Sequence, residues 1–503
     1  MLRRLQRFLS ALALACAAAA AHAQAVDALY PQARTFFPEA ERFGALEGNP
    51  RAAPVYAGDR LLGYVFATQD VVRIPAYSGK PINSLVGFDL AGRIRGIAIV
   101  GHEEPILAVG VSEERLKAFA EQYRGRSVFD RIAIGGGRPG PASIDTISGA
   151  TMTAMVENAT VMRAARLVAE SRGLRAPGAQ AAPAGPEEPL WVAAWRQSKA
   201  RIALLVAGLA LLTLILVLQD WLARKPTFLG TLRRGFLLYT LFFIGWYGLA
   251  QLSVVHVLTF VQAAVHEFKW QSFLIDPMLF ILWSFVAVTL LLWGRGVYCG
   301  WLCPFGALQE LVQQGARRLG IRQLEFPDVV HERLWGLKYV ALLVLFGLSL
   351  QSMADAVRYA EIEPFKTAIT LRFAREWPFV LYAAVLIAVS AINRKFFCKY
   401  LCPLGAALSI PGRFRVFDWW LRRRKECGRP CQTCANECEV RAIRPTGEIN
   451  ANECHYCLDC QVTYYSDRKC APLIERRLRL ERRGRAQPGN APGPARPSEL
   501  DKA

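Results

Sequence analysis

Eight cysteines near the carboxyl end of the chain have the residue type and the spacing of a metal–sulfur site. They form two groups of four: Cys427, Cys431, Cys434 and Cys438, followed by Cys454, Cys457, Cys460 and Cys470. Thiolates are soft ligands that suit iron, and three clustered cysteines can wrap one corner of an iron–sulfur cube. Two structural zinc sites with four cysteines each are the alternative. Zinc sites usually carry paired CxxC units rather than a CxxCxxC run, so the spacing favours iron.

The two groups resemble the cysteine pattern of bacterial two-cluster ferredoxin domains. In those proteins each group gives three thiolates to its own [4Fe–4S] cluster and its fourth thiolate to the other cluster. The resemblance therefore implies one cluster on Cys427, Cys431, Cys434 and Cys470, and a second on Cys454, Cys457, Cys460 and Cys438. The match departs from the usual pattern in two places, because three residues rather than two separate the first pair and Glu439 stands where proline is common.

Two further cysteine pairs form an internal repeat. The motif CxxxCP occurs at residues 299–304 and 398–403, each time after an apolar segment and each time followed by a glycine. If Cys299, Cys303, Cys398 and Cys402 come together, they can hold an additional iron centre. Inert thiols at packed helix ends are the alternative, but the duplicated spacing favours a redox or metal role.

A third candidate site lies in the amino-terminal half, in the sequence DTISGATMT at residues 145–153. Small residues ahead of a helix leave room for a phosphate, and a helix N-terminus favours an anion. An ordinary capped helix start is the alternative. The stretch is similar to the flavinylation motif of FMN-binding domains in membrane redox complexes, where a flavin transferase joins FMN to the last threonine through a phosphoester. The resemblance implies covalent FMN at Thr153, with the other motif positions filled by Asp145, Ser148, Gly149, Ala150 and Thr151. Residues 87–105 also resemble the strand pair of that family.

Composition indicates a membrane protein that carries these sites. The chain has 503 residues, 53% of them hydrophobic, and a formal net charge of +20. Five apolar segments are predicted to span the bilayer: residues 202–222, 236–257, 273–293, 334–353 and 377–392. Basic residues flank them at Arg224, Lys225, Arg233, Arg234, Arg317, Arg318, Arg322, Arg394, Lys395 and Lys399. The positive-inside rule explains these charges without nucleic acid and predicts a carboxyl end in the cytosol, where thiols stay reduced.

The remaining segments complete a multidomain prediction. We expect a signal peptide at 1–23, a periplasmic α+β FMN-binding domain at 24–175, a linker at 176–201 and an all-α transmembrane domain at 202–393. A cytoplasmic ferredoxin-like domain at 394–474 and a disordered basic tail at 475–503 follow. Within the exported domain, alternation predicts a strand at 93–100, and helical patterns cover 113–123 and the residues from the SGATMT motif to 168.

The order of these parts resembles the NosR/NirI family, although the exported part lacks the second large soluble region of its long members. The resemblance implies electron transfer across the bacterial inner membrane, from a cytosolic donor or quinol to a periplasmic reductase, with nitrous oxide reductase as first choice. A redox-sensing regulator needed for expression or maturation of a denitrification enzyme is the alternative, and an assembly factor is a third. His256 and His266 could touch a quinol or be interface histidines. The sequence has no CxxCH haem motif, no DNA-reading motif and no hydrolytic triad, so its status as an enzyme stays open and no catalytic residue is assigned.

Overall fold

The computed structural model describes residues 25–74, 81–102, 113–130, 132–134, 143–145, 151–175, 190–265, 268, 270–414 and 421–485. The chain divides into two compact units. Unit 1 comprises Met1–Ile202, Ser253–Ile281 and Leu343–Lys366, and unit 2 comprises Ala203–Leu252, Leu282–Leu342 and Thr367–Ala503.

An antiparallel sheet with strand order β1-β2-β3-β4-β5 organises unit 1. Its strands are β1 Arg42–Phe43, β2 Ala53–Ala57, β3 Arg60–Ala67, β4 Asn83–Asp89 and β5 Ile94–Gly101. The predicted strand at 93–100 is confirmed by β5, and β4 and β5 form the expected strand pair. The turn between them closes because the Asp89 carboxylate accepts the N–H groups of Ala91 and Arg93, each at 2.9 Å. Gly92 takes a left-handed φ of +71° there, which a glycine adopts without strain.

Helices cover both faces of this sheet. Those of the amino-terminal part are α1 Val26–Leu29, α2 Ala33–Phe36, α3 Glu113–Glu121, α4 Thr151–Ser171 and α5 Leu190–Gln197. Helix α4 packs Ala154, Val161 and Ala165 against Phe66 and Phe88 of the sheet. These helix positions are separated by seven and four residues, two turns and one turn, so one stripe is buried. The other sheet face buries residues such as Phe36, Val55 and Leu85. A parallel pair, β6 Ala133–Ile134 and β7 Ser143–Ile144, precedes α4.

Apolar helices dominate the rest of the chain. In order, they and the short helices between them are α6 Lys199–Val217, α7 Gln219–Ala223, α8 Pro226–Tyr239, α9 Val254–Val265, α10 Trp270–Leu274, α11 Pro277–Leu292, α12 Pro304–Arg318, α13 Asp328–Leu334, α14 Gly336–Gln351, α15 Met353–Tyr359 and α16 Trp377–Ile392. The last five are α17 Phe396–Tyr400, α18 Pro403–Ser409, α19 Thr433–Glu437, α20 Asp459–Tyr465 and α21 Ala471–Arg485.

Within the described residues, three continuous helices are long and apolar enough to cross a membrane. They are Lys199–Val217, Pro226–Tyr247 and Asp328–Gln351, which overlap the first, second and fourth predicted spans. The third and fifth predicted spans form the shorter apolar helices Pro277–Leu292 and Trp377–Ile392. A helix of that length rises about 24 Å, less than the roughly 30 Å hydrocarbon core, so the predicted set of five full-length spans is not reproduced.

The second predicted span also has the wrong boundaries. Its helix starts at Pro226 instead of 236 and ends at Tyr247, and a separate helix, Val254–Val265, begins where the span was expected to end. Leu249 takes a left-handed φ of 52°, which interrupts the helix between the two. Hydropathy alone does not register this break because the residues on both sides of it are apolar.

Candidate iron–sulfur and flavin sites

A cavity in unit 2 gathers the four cysteines that the ferredoxin resemblance assigns to one cluster. Cys438, Cys454, Cys457 and Cys460 all line it, together with apolar side chains such as Leu421, Val440 and Ile443. Burial raises the pKa of Cys460, and the neighbouring Cys454 and Cys438 thiolates raise it further. Burial likewise raises the pKa of Cys457 well above its ordinary value. Four thiols in such a place ionise only with a compensating positive centre, which is the condition a metal cluster meets.

In the other predicted combination, Cys434 lies within electrostatic range of Cys427 and Cys470. Burial raises the pKa of Cys434, Arg423 opposes this, and the Cys427 and Cys470 thiolates add to the rise. Cys427 accepts the backbone N–H of Arg424 at 3.3 Å, a hydrogen bond that stabilises a thiolate. Cys427, Cys431 and Cys434 are partly exposed and Cys470 is buried, just as Cys454 is the buried member of the other set.

The spacing of these cysteines bears on the choice between iron and zinc. None of the twelve cysteines in the described residues forms a disulfide. In the same residues no three His, Cys, Asp or Glu side chains converge closely enough to hold a single metal ion. A zinc ion needs its sulfurs about 2.3 Å from one point, whereas a four-iron cube holds its thiolates farther apart. The preference for a cube therefore rests on the spacing of the cysteines in the sequence.

The CxxxCP motif has a local structural explanation. Cys303 and Cys402 are the N-cap residues of α12 and α18, and a proline occupies the first helical position after each. Their sulfurs accept the N–H groups of Gly306 and Gly405 at 3.4 and 3.3 Å. Proline has no N–H to leave unpaired at this position, and the cysteine sulfur takes the place of a capping oxygen. Each copy therefore presents a sulfur that a helix N-terminus stabilises as an anion.

The two copies of the motif meet in unit 2. Burial raises the pKa of Cys303 to about 12, with Cys398 and Cys299 contributing. Burial raises the pKa of Cys398 to about 11, with Cys299 again adding and Lys395 opposing. Although burial lowers the pKa of Arg295, Glu453 and the Cys299 and Cys402 thiolates raise it above its usual value. All four sulfurs thus share one electrostatic neighbourhood, as an additional iron centre requires.

Buried cations surround these cysteines, and sequence analysis missed them. Arg233, Arg295, Lys338 and Lys395 are all at most 5% exposed. Arg233 makes two 2.8 Å contacts with Glu310, and Lys395 lies 2.7 Å from the same carboxylate. Glu453 pairs with Arg295 at 3.1 Å and with Lys338. Glu439 also lies 3.4 Å from Lys395, so four cations face three carboxylates, and anionic thiolates can compensate the charge that remains.

Three of the predicted basic flanks are buried and paired. Arg233 and Lys395 contact Glu310, and Lys399 contacts Glu325 at 2.9 Å. A basic residue beside an apolar segment is the same signal whether it is buried or solvated. The sequence hint of a special role was the basic residue ahead of each CxxxCP copy, Arg295 before the first and Lys395 before the second.

The first CxxxCP loop lies directly against the second ferredoxin group. The indole of Trp301 donates to the Tyr456 carbonyl at 3.0 Å, and Trp301 is fully buried. A Cβ atom on Gly300 would overlap the carbonyl oxygen of His455, and one on Gly296 would lie 2.7 Å from that of Cys454. Only glycine permits this approach of two backbones, so the loops that carry the two sets of cysteines are in contact.

The flavin motif is described in part. Asp145 is exposed, and its N–H donates to the Gln122 side chain at 2.7 Å. Helix α4 begins at Thr151, which confirms the predicted helix after SGA, and Thr153 lies in its first turn with 2% exposure. Ser148, Gly149 and Ala150 lie outside the described residues, as does the Thr151 side chain. One turn after Thr153, burial raises the pKa of Glu157 to about 7, while its hydrogen bond from Ser84 opposes the rise.

Of the two histidines considered for a quinol contact, the structure describes His256. His256 accepts the backbone N–H of Ser253 at 2.9 Å through Nδ1, a contact at the start of α9. The Glu363 carboxylate caps the same helix start, accepting the Val254 N–H at 3.0 Å. His266 lies outside the described residues. The contacts of His256 are those of a helix terminus.

Family models match three parts of the chain. An FMN-binding domain matches residues 77–166, and a 4Fe–4S binding domain matches twice, at 275–322 and 376–426. The double match falls on the two CxxxCP copies. A model described as NosR matches residues 425–481, which hold the eight carboxyl-terminal cysteines.

Full-length relatives decide the family. "Regulatory protein NosR" of Stutzerimonas stutzeri is 37% identical over 661 aligned positions, which cover 89% of this chain and 91% of the relative. The chain belongs to the NosR/NirI family. "Protein NirI" of Paracoccus denitrificans is 48% identical over 319 residues, 63% of this chain and 46% of that protein. "Ferredoxin-type protein NapH" of Haemophilus influenzae is 29% identical over 159 residues, 30% of this chain and 50% of that protein.

The alignment to the NosR relative also supports the expected departure from long members of the family. Its 661 aligned positions exceed the 503 residues of this chain, so the relative carries segments that have no counterpart here. This member of the NosR/NirI family thus keeps an FMN-binding domain, 4Fe–4S domains and apolar helices in a shorter chain.

Proposed function

We propose that this protein carries electrons across the bacterial inner membrane to a periplasmic reductase that serves denitrification, with nitrous oxide reductase as the first candidate. The electrons come from a cytosolic donor or from quinol. The FMN-binding domain faces the periplasm and the cysteine-rich end faces the cytosol, as the basic flanks and the signal-like start predict. Membership of the NosR/NirI family supports a role in denitrification.

The contact between the first CxxxCP loop and the second ferredoxin group carries this proposal. Electron transfer requires centres that lie close together, and Gly300, Trp301 and Tyr456 bring the two cysteine-bearing loops into backbone contact. A protein that only sensed oxygen through its clusters would have no need for such an approach. The contact gives the ferredoxin clusters a route into the membrane helices.

Each cofactor has residues that would hold it. Cys427, Cys431, Cys434 and Cys470 would hold one [4Fe–4S] cluster, and Cys438, Cys454, Cys457 and Cys460 the other. Cys299, Cys303, Cys398 and Cys402 would hold a further iron centre. Thr153 would carry FMN, attached by a flavin transferase. The clusters supply one-electron carriers, and the chain's own contribution is to bring their ligands together and to neutralise their charge with Arg295, Lys338 and Lys395.

Sealed vesicles of both orientations test the route. A reductant confined to the cytosolic side is expected to reduce the flavin on the opposite side, as followed by stopped-flow absorbance. A variant without the carboxyl-terminal clusters is expected to lose that route while quinol reduction continues. Flavin that is reduced only by reagents on its own side, in protein with a full set of cofactors, would exclude the conduit.

A redox-sensing regulator is the second candidate, because two relatives carry the printed name "Regulatory protein NosR". In that role the clusters would report oxygen or redox state for the expression or maturation of a denitrification enzyme. Expression of the reductase in a strain with the Cys398→Ser variant separates the two. A conduit leaves the amount of reductase unchanged and lowers its turnover in cells, whereas a regulator lowers the amount.

A further inference from the structure

Two buried glutamines contact the sulfurs of the CxxxCP motifs. The side-chain nitrogen of Gln309, on α12, lies 3.0 Å from the sulfur of Cys398, and that of Gln251 lies 3.6 Å from the sulfur of Cys303. Gln309 is fully buried and Gln251 is 6% exposed. Burying an amide without a partner is unfavourable, so each side chain needs the polar atoms it meets.

The surroundings fix which end of each amide faces the sulfur. The oxygen of Gln251 accepts the backbone N–H of Phe305 at 3.3 Å, so its nitrogen is the end that donates. The oxygen of Gln309 accepts the Ser390 hydroxyl at 2.9 Å. A metal-bound thiolate has no hydrogen to give, so the amide beside it must present an N–H group. The Gln309 amide is therefore oriented as a donor to the Cys398 sulfur. The nitrogen of Gln251 also donates to the Leu252 carbonyl at 2.7 Å and to the Tyr298 hydroxyl at 3.1 Å, so its 3.6 Å contact with the Cys303 sulfur is the weaker of the two sulfur contacts.

These contacts are distinct from what the repeat needs in order to fold. The Gly306 and Gly405 N–H groups cap Cys303 and Cys402 in the same way in both copies. The glutamines do not follow that symmetry. Gln251 contacts Cys303, the second cysteine of the first copy, whereas Gln309 contacts Cys398, the first cysteine of the second copy. The Gln251 amide also bonds the backbone of Leu252 and Phe305, whereas the Gln309 nitrogen bonds the Cys398 sulfur, so Gln309 is the stronger candidate for an effect on the centre.

We propose that Gln309 and Gln251 set the reduction potential of the iron centre at the CxxxCP cysteines by donating hydrogen bonds to Cys398 and Cys303. The inference rests on the additional iron centre of the proposed function. Reduction adds negative charge to the centre and its thiolates, and an N–H donor stabilises the more negative form. The donors therefore raise the potential, and their removal lowers it.

Redox titration of the full-length protein, followed by electron paramagnetic resonance, tests the proposal. The signal of the centre is identified as the component that Cys398→Ser removes. Gln309→Met keeps the length of the side chain and removes the donor. We expect it to change the ratio of reduced to oxidised centre about tenfold at a fixed potential, a shift of ~59 mV to more negative values. Gln251→Met is expected to shift it less, since its contact is longer.

Gln313→Met is the matched control. Gln313 lies one turn further along α12, is 2% exposed and bonds to Gln323 at 3.4 Å. This variant is expected to leave the potential unchanged. If Gln309→Met fails to assemble, Ser390→Ala removes the partner that orients Gln309 and is expected to cause a smaller shift of the same sign.

The outcomes distinguish the effect of the glutamines on the potential from the existence of the iron centre. An intact centre whose potential is the same in Gln309→Met and Ser390→Ala as in the unaltered protein overturns the inference and leaves the proposed centre standing. Equal shifts in Gln309→Met and Gln313→Met also overturn it, because they indicate a general packing effect. A wild-type protein without any signal that Cys398→Ser removes overturns the centre and the inference together.

Discussion

Single residues decide whether the cysteine-bearing loops of unit 2 can approach each other. Gly300 stands between Cys299 and Trp301, and the carbonyl of His455 occupies the space where any other residue would place its Cβ atom. Glu310 is equally important for the buried charges, since its carboxylate pairs with both Arg233 and Lys395. Both positions lie in the contact region that the proposed electron route crosses.

Gly300→Ala is expected to separate the two loops. The added methyl group cannot be accommodated without moving backbone, and overpacking of this kind typically destabilises by about 1–3 kcal/mol. We expect a lower melting temperature and slower electron passage between the ferredoxin clusters and the CxxxCP centre, measured by flash reduction.

Gly315→Ala on α12 is the control for that variant. No atom lies within 4 Å of a Cβ built at Gly315. Alanine in a helix interior is expected to stabilise by about 0.5–1 kcal/mol. If Gly300→Ala behaves as Gly315→Ala does, the close approach has no role.

Glu310→Gln is expected to destabilise the protein by about 3–5 kcal/mol, because the buried Arg233 loses its charge partner and Lys395 loses the nearer of its two, retaining Glu439 at 3.4 Å. Burial raises the pKa of Glu310, but Arg233 and Lys395 outweigh it and hold the pKa below the ordinary 4.5. A depressed carboxyl pKa contributes stability that is present above pH 4.5 and is lost as the pH falls below it. Thermal unfolding as a function of pH measures both effects.

The exposed Glu475 is the control, since its contact with Arg479 is a surface pair one helical turn apart. Such pairs contribute about 0.3–0.5 kcal/mol, so Glu475→Gln should leave the pH profile nearly unchanged. A Glu310→Gln protein as stable as Glu475→Gln would show that the buried cations are neutralised elsewhere.

Thr153 carries the flavin prediction. Thr153→Val keeps the shape of the side chain but removes the hydroxyl that a phosphoester needs. Protein made with a flavin transferase is expected to lose the fluorescent band that survives denaturing electrophoresis. Thr160→Val is the control, because Thr160 is buried on the same helix and its hydroxyl bonds only locally, to the Val156 carbonyl at 2.8 Å. Covalent flavin in Thr153→Val would refute the assignment.

At the scale of elements, the repeat combines an apolar helix with a cysteine-capped helix. Helix α11 precedes α12, and α16 precedes α18, each with a CxxxCP loop between them. The first loop forms a π-helical turn, Tyr298–Leu302, and the second forms α17 after a left-handed Lys395 with a φ of 49°. The two copies therefore share the cysteine N-cap although the backbones of their loops differ.

The iron content of the protein tests how many centres the CxxxCP motifs and the carboxyl-terminal cysteines hold. Anaerobically purified protein is expected to contain about twelve irons, four for each of three cubes. Cys398→Ser is expected to lower this by about four and to leave the carboxyl-terminal clusters and the flavin bound. Stoichiometric zinc without iron would contradict the assignment, and loss of all iron in Cys398→Ser would show that the sites do not assemble separately.

At the scale of the whole molecule, the number of crossings decides on which side each end lies. Three long helices, or these together with Pro277–Leu292 and Trp377–Ile392, place the two ends on opposite sides, whereas a sixth crossing by Val254–Val265 would place them on the same side. A twelve-residue helix rises only about 18 Å. In unit 1 the segment after it contributes Ile275 to a cluster with Ile82 and Val156 of the FMN-binding domain.

Reporter fusions measure that arrangement. We expect alkaline phosphatase to be active when fused after residue 175 and a fluorescent protein to fold when fused after residue 485. A fluorescent fusion at both positions would mean an even number of crossings and would exclude a periplasmic flavin domain.

The sequence by itself determined the chemistry and the local elements. The CxxCxxC run, the paired CxxxCP motifs and the SGATMT stretch identify thiolate and flavin chemistry because their spacing is local. Helix α4 and strand β5 were predicted for the same reason, since their periodicity lies within one segment. These features sufficed for the family, the cofactor classes and the membrane character.

Tertiary structure alone decided which distant residues meet. Arg233 and Glu310 are 77 positions apart, and Lys338 and Glu453 are 115 apart, so no local pattern distinguishes a buried ion pair from a basic flank. In the sequence, Gly296 and Gly300 look like ordinary loop residues. The structure shows that glycine is required there because the carbonyls of Cys454 and His455 approach them closely. Burial and approach are properties of the packed chain, and the same basic residue is solvated or enclosed according to what the fold brings to it.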